Sequence, residues 1–254
     1  MLRSLKHFKG YKIHATDGAI GKVHDFFFDD EFWILRYVVV DTGRWLPGRK
    51  VLLTPGLLRD PDSGQRSFDV ALNREQVRSS PDVDADQPVS RQHEVRLHEH
   101  YGWPFYWAPS GDLVGPITPI PMPEPSAPAR PGDPHLRSVR EIIGYDVEAS
   151  DGAIGRVDDF IADTESWTIR YLVVGLRKWL PGRKVLISPQ WLVGPISWDT
   201  RTVKIIMSRE SIRNSPEYDA DAPVNREYEG QLYDFYGRPH YWSLEPSNQN
   251  QPEP

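Results

Sequence analysis

The chain has 254 residues, no cysteine, eight histidines and a formal net charge of −6. Without cysteine there is no disulfide framework, thiolate metal site or thiol nucleophile, and the acidic balance argues against a nucleic-acid binder that works by neutralising phosphates. The length suits two ordinary domains. No stretch approaches the ~20 apolar residues of a membrane span, and Met1–Lys12 lacks the apolar run of a secretory signal, so a cytoplasmic setting is expected.

In chain order, Tyr11–Ala15 reads as a short strand and Asp17-Gly18 as a hairpin turn, since glycine takes φ > 0 without a Cβ clash. Ile20–Asp29 and Trp33–Asp41 are strand-like, rich in aromatic and β-branched residues. In the latter, Trp33, Leu35, Tyr37 and Val39 share one face and Ile34, Arg36, Val38 and Val40 the other. Both faces are apolar enough to predict a small closed or strongly bent sheet. Thr42–Arg49 is a loop, and Lys50–Thr54 and Ser67–Leu72 are further strands. Asn73 caps a short helix that Ser80-Pro81 ends. A second helix follows over Ser90–His100, then an aromatic tail, Tyr101 to Trp107.

The same grammar then recurs. Asp17 to Gly21 returns as Asp151 to Gly155, Trp33 to Tyr37 as Trp167 to Tyr171, and Trp45 to Leu52 as Trp179 to Leu186, all at an offset of 134. Later blocks sit at 135: Arg74-Glu75 returns as Arg209-Glu210, and Tyr101-Gly102 as Tyr236-Gly237. The extra residue falls near 190–200, in a loop. The second copy's helix spans Asn225–Phe235, with Tyr228, Leu232 and Phe235 as its apolar stripe. The chain therefore reads as a tandem duplication: residues 1–107, a proline-rich spacer 108–137, residues 138–243, and a polar tail 244–254.

The run Asp-Gly-x-Ile-Gly, Trp-x-x-Arg-Tyr-x-Val-Val, Trp-Leu-Pro-Gly-Arg-Lys-Val-Leu and Ser-Pro resembles the PRC-barrel domain. That family includes the cytoplasmic domain of the photosynthetic reaction centre H subunit and the C-terminal half of a bacterial ribosomal RNA maturation factor. The resemblance covers Phe8–Pro81 and Glu141–Pro216. It implies a small β-barrel for each copy. The expected fold class is therefore mainly β with short helices: two small PRC-type β-barrels, each followed by a helical and aromatic appendage, arranged as a pseudo-dimer. The resemblance implies roles in protein–protein contact and does not imply a catalytic residue; no cofactor is expected.

The residues agree that imidazole is not the shared chemistry, because none of the eight histidines recurs in the other copy. His93, Glu94 and His98 are the one metal candidate, Glu94 and His98 lying at i and i+4 on a helix. The alternative is a solvated helix face. Asp82, Asp84 and Asp86 alternate like the start of a calcium loop, but Gln87 and His93 occupy its glycine and glutamate positions, so turn and capping roles are expected. Asp17, Gly18, Gly21, Asp151, Gly152 and Gly155 read as structural turns and not as a phosphate loop, since strands flank them on both sides. Arg36 and Arg170 are expected to stack on an aromatic ring or pair with a carboxylate.

The strongest lead for binding an unidentified protein partner is aromatic: Tyr101, Trp103, Tyr106, Trp107, Tyr236, Tyr241 and Trp242 on the tails, with Trp45 and Trp179 on the loops. The competing reading is that each tail covers its own barrel or the sister barrel. A metal-linked stress protein and a quinone-type binder between the barrels stay open as alternatives.

Overall fold

A computed structural model describes residues 1–81, 91–105, 136–176 and 182–244. The expected spacer and the polar tail therefore lie almost wholly outside the described residues. The elements run β1 (Leu2–Ser4), α1 (Leu5–Phe8), β2 (Lys12–Ala15), β3 (Gly18–Asp29), β4 (Ile34–Asp41), β5 (Lys50–Leu53), β6 (Ser67–Asp69), α2 (Arg74–Arg78) and α3 (Arg91–Tyr101). They continue as β7 (Leu136–Ser138), α4 (Val139–Ile142), β8 (Asp146–Ala149), β9 (Gly152–Asp163), β10 (Thr168–Gly175), β11 (Lys184–Ile187), β12 (Thr202–Lys204), α5 (Arg209–Asn214), α6 (Arg226–Phe235) and α7 (Tyr241–Leu244).

The chain divides into two compact units that do not coincide with the two copies. The first unit is Phe8–Val139; the second joins Met1–His7 to Arg140–Pro254. In the first unit the long strand β3 pairs with β4 along one edge, and with β2 and then β7 along the other. β5 extends the sheet beyond β4, and β6 lies parallel beyond β2. The second unit repeats the plan: β9 carries β10 on one edge and β8 and then β1 on the other, with β11 and β12 outermost. Each unit thus takes a three-residue strand from the start of the other copy. The sequence reading left Leu2–Ser4 unassigned and placed Leu136 and Arg137 in the spacer.

The sheets curl because the central pairs are bulged, and an extra residue in one strand raises local twist. The breaks fall at His24 and Arg36 in the first unit and at Asp158 and Arg170 in the second. A bulge also resets which face a side chain takes, so strict alternation is lost and Val38, Val39 and Val40 are all buried. Trp33 does not begin β4 as expected; it sits in the turn with φ 59°, and Trp167 matches it at 52°. Asp29 organises that turn, accepting the N–H groups of Glu31 and Phe32, and the Trp33 ring rests on Phe28 at 5.3 Å.

The core of the first unit has two parts. Phe8, Tyr11, Phe26 and Phe68 pack ring to ring. Phe27, Tyr37, Val39 and Leu52 pack with Leu97 of α3 and Leu136 of β7. Burial of large apolar side chains is the main stabilising term in a sheet this small.

The Asp-Gly turns tie the strands to the helices. Asp17 Oδ1 accepts the N–H of Arg74, the first residue of α2, at 2.8 Å, and Asp151 does the same for Arg209 of α5. Gly18 and Gly152 have φ of 142° and 126°. Gly21 and Gly155 are required for a different reason: a Cβ there would run into the carbonyl oxygen of Asp41 or Gly175 on the neighbouring strand.

Candidate functional site

The tyrosine of each central strand points at a glutamate of the helix that follows the sheet. In the first unit Tyr37 of β4 donates its hydroxyl hydrogen to Glu94 Oε1 of α3 at 2.8 Å, and the Tyr37 hydroxyl oxygen itself lies 2.9 Å from His98 Nε2. His98 Nδ1 sits 2.8 Å from the carbonyl oxygen of Pro104. A carbonyl only accepts, so that nitrogen carries hydrogen. The imidazole lies stacked near Phe105 and edge-on to Trp103, and Trp103 stacks on Tyr101 at 4.3 Å.

The second unit builds the same joint with different neighbours. Tyr171 of β10 and Tyr241 of α7 both donate to Glu229 Oε1 of α6, at 2.7 and 3.0 Å. Arg226, one turn earlier, holds Oε2 at 3.2 Å. Its guanidinium lies over the Trp242 ring at 4.1 Å, while Arg170 lies over Tyr241 at 4.2 Å. Tyr233 stands where the first copy has His98 and packs among Trp191, His240 and Trp242. Burial, with the nearby Glu229 carboxylate, pushes the Tyr171 hydroxyl far above its ordinary range. Tyr241 is pushed up to about 12, mainly by burial. These phenols are held as neutral donors.

Glu94 and Glu229 are 0% and 2% exposed. A carboxylate buried that deeply needs donors and counter-charge, and the tyrosines and Arg226 supply them. The joint fixes each helix and its aromatic tail to the sheet.

This corrects the solvated-face reading of Glu94 and His98: both are buried and engaged inside the first unit. The His93 side chain lies outside the described residues, as do Asp82, Asp84 and Asp86. Among the described residues no cluster of three or more His, Asp or Glu is placed to hold a metal. The expected stripe on α6 also shifts. Its buried residues are Glu229, Leu232 and Tyr233, Tyr228 is half-buried, and Phe235 is exposed. Arg36 pairs with Asp29 at 3.1 Å.

The aromatic candidates lie mostly against their own units. Tyr101 and Trp103 pack on the Tyr37–Leu97 core. Tyr236 lies against Trp191 at 4.8 Å, Tyr241 is buried, and Trp242 is half-buried beneath Arg226. Trp45 is half-buried under the Arg74 guanidinium at 4.8 Å, in a loop that Thr42 braces through the carbonyls of Leu46 and Arg49. Tyr106, Trp107 and Trp179 lie outside the described residues.

Two exposed apolar side chains were not among the expected binding residues. Val193 and Ile206 are 52% and 51% exposed. They flank the Leu192–Ile205 bridge, with Val193 N–H on the Lys204 carbonyl and Ile206 N–H on that of Trp191. That places them diagonally on one face, within reach of a single contact. Arg59 makes the equivalent bond in the first unit, to the Asp69 carbonyl, and Ala71 stands where the second unit has Ile206. The added residue of the second copy falls here as well, between the Leu192–Ile205 and Ser197–Thr202 bridges, whose counterparts are Leu58–Val70 and Asp62–Ser67.

Residues 134–206 match the PRC-barrel domain family model. The matched segment begins before β7 and runs through β12. For Phe8–Pro81 the resemblance rests on the residues themselves. No curated protein matches the chain. No helix among the described residues is long and apolar enough to cross a membrane.

Proposed function

We propose that this chain is a non-catalytic protein-binding scaffold, built from two PRC-type barrels in a pseudo-dimer. Its contact face is the Val193–Ile206 edge of the second unit. The aromatic tails are struts. The observation that carries this is the exposure of Val193 and Ile206 side by side, where the first unit has Arg59 and Ala71. Adjacent exposed apolar side chains on one copy alone mark a surface kept for contact. The pairing of the barrels is supported by the reciprocal supply of β1 and β7.

The test is affinity capture with the intact chain, a Val193→Lys, Ile206→Lys variant and a Trp103→Ala, Trp242→Ala variant, each checked by circular dichroism. A partner kept by the intact chain and lost by the folded lysine variant is the expected result. Retention by the lysine variant overturns the assignment of the face. Loss in a tail variant that remains folded returns the contact surface to the aromatic residues.

A further inference from the structure

β1 and β7 are the same tripeptide, Leu-Arg-Ser, at an offset of 134. They enter equivalent slots in the same antiparallel register: Leu2, Arg3 and Ser4 face Asp163, Ala162 and Ile161, and Leu136, Arg137 and Ser138 face Asp29, Phe28 and Phe27. The serine anchor also matches, although Arg137 adds an ion pair to Asp30, whose counterpart in the other slot is Thr164. Ser4 donates to Asp159 Oδ2 at 2.5 Å, and Ser138 to Asp25 Oδ2 at 2.6 Å. The other oxygen of each aspartate accepts the N–H of the next residue, Phe160 or Phe26. In the second unit that oxygen also takes the N–H of Lys6.

One slot therefore cannot tell one strand from the other by the three residues it reads. The tether decides. The family match makes the same point, because it begins at residue 134 and so includes β7, although β7 completes the other unit. A three-residue strand closes few hydrogen bonds, and such elements open at the low end of the range of local unfolding. A tethered strand beats a free one only while its effective concentration, on the order of millimolar for a short flexible connection, exceeds that of the competitor.

We propose that these slots are strand-acceptor sites, and that their second occupant is the Leu-Arg-Ser strand of another copy of this chain. Exchange in both directions closes a two-fold dimer without any new contact surface. This site is separate from the Val193–Ile206 face and stands or falls without it.

The absence of native cysteine makes the test clean. Arg3 and Ala162 are directly paired across β1 and β9. Full-length Arg3→Cys and Ala162→Cys chains are unfolded together, refolded at increasing concentration and oxidised. A disulfide-linked heterodimer is expected, its fraction rising about tenfold for a tenfold rise in protein while yields are low. The Arg3→Cys, Ala162→Cys double variant serves as the internal standard and is expected to crosslink within one chain. If the double variant crosslinks and the mixture yields no heterodimer up to about millimolar protein, the slot takes only its own chain's strand and the proposal fails. If the double variant does not crosslink, β1 is not seated on β9 and the proposal fails at its premise.

Discussion

At the residue scale, the Tyr–Glu joint carries a cost that its partners must cover. Removing a donor from a buried carboxylate leaves the acceptor dry and underserved, and a hydrogen bond to a charged group contributes about 1.5–3 kcal/mol. Tyr171→Phe should therefore lower the unfolding free energy by about 2 kcal/mol in chemical denaturation. Tyr228→Phe removes only a long bond to the Pro216 carbonyl, 3.3 Å and part-buried, and should cost less than half as much. Equal losses would mean that the joint contributes nothing beyond ring packing. A second joint titrates. Burial is the largest effect on Asp159 and raises its carboxyl above the ordinary range, against the lowering effects of Ser4 and the N–H groups of Phe160 and Lys6. The folded chain then holds this proton more tightly than the unfolded one. Its stabilising contribution is full below the unfolded value and lost as pH rises through the folded one. Wild type should thus gain on Asp159→Asn as pH falls from 7 towards 4, in paired denaturation curves. A flat difference would show that Asp159 is solvated, and one of opposite sign that its donors outweigh burial. Little of this was legible beforehand. A glutamate on a helix reads as surface, and the histidines, the more conspicuous chemistry, do not recur between the copies. The usable signal was that Tyr37 and Tyr171, and Glu94 and Glu229, recur in register.

At the element scale, strands of five or more residues announced themselves through β-branched and aromatic content, which is why β3 and β4 were placed to within two residues at each end. Two things defeated that pattern. Bulges at Arg36 and Arg170 add a residue to one strand only, so an alternation counted through them assigns faces wrongly. Trp33 joins a bulky ring to left-handed backbone, against the steric preference of its type; packing on Phe28 and the Asp29-centred turn hold it there. β1 and β7 were hidden for a simpler reason. Three residues cannot display a period, and their pairing is settled by slots more than 100 residues away in sequence. The tails show a third limit. Aromatic composition fits a core strut and an interface equally well, and only the ring contacts of Tyr101, Trp103 and Tyr241 separate the two.

At the scale of the whole molecule, sequence order and structural membership part company at β1 and β7. Leu136 follows the first copy by some 30 residues, yet it is 4% exposed in the core formed by Phe27, Tyr37, Val39, Leu52 and Leu97. Leu136→Asp places a carboxylate among those side chains, where an unpaired charge costs several kcal/mol. The damage should therefore appear in the first unit, although the substitution lies in the segment that matches the PRC-barrel family. Hydrogen exchange resolves the two outcomes. Loss of protection in β3, β4 and α3, with β9, β10 and α6 still protected, is what unit membership demands. Loss centred on β8 to β12 would mean that β7 completes its own copy, and that the strand exchange on which the proposed pseudo-dimer and acceptor slots rest does not occur.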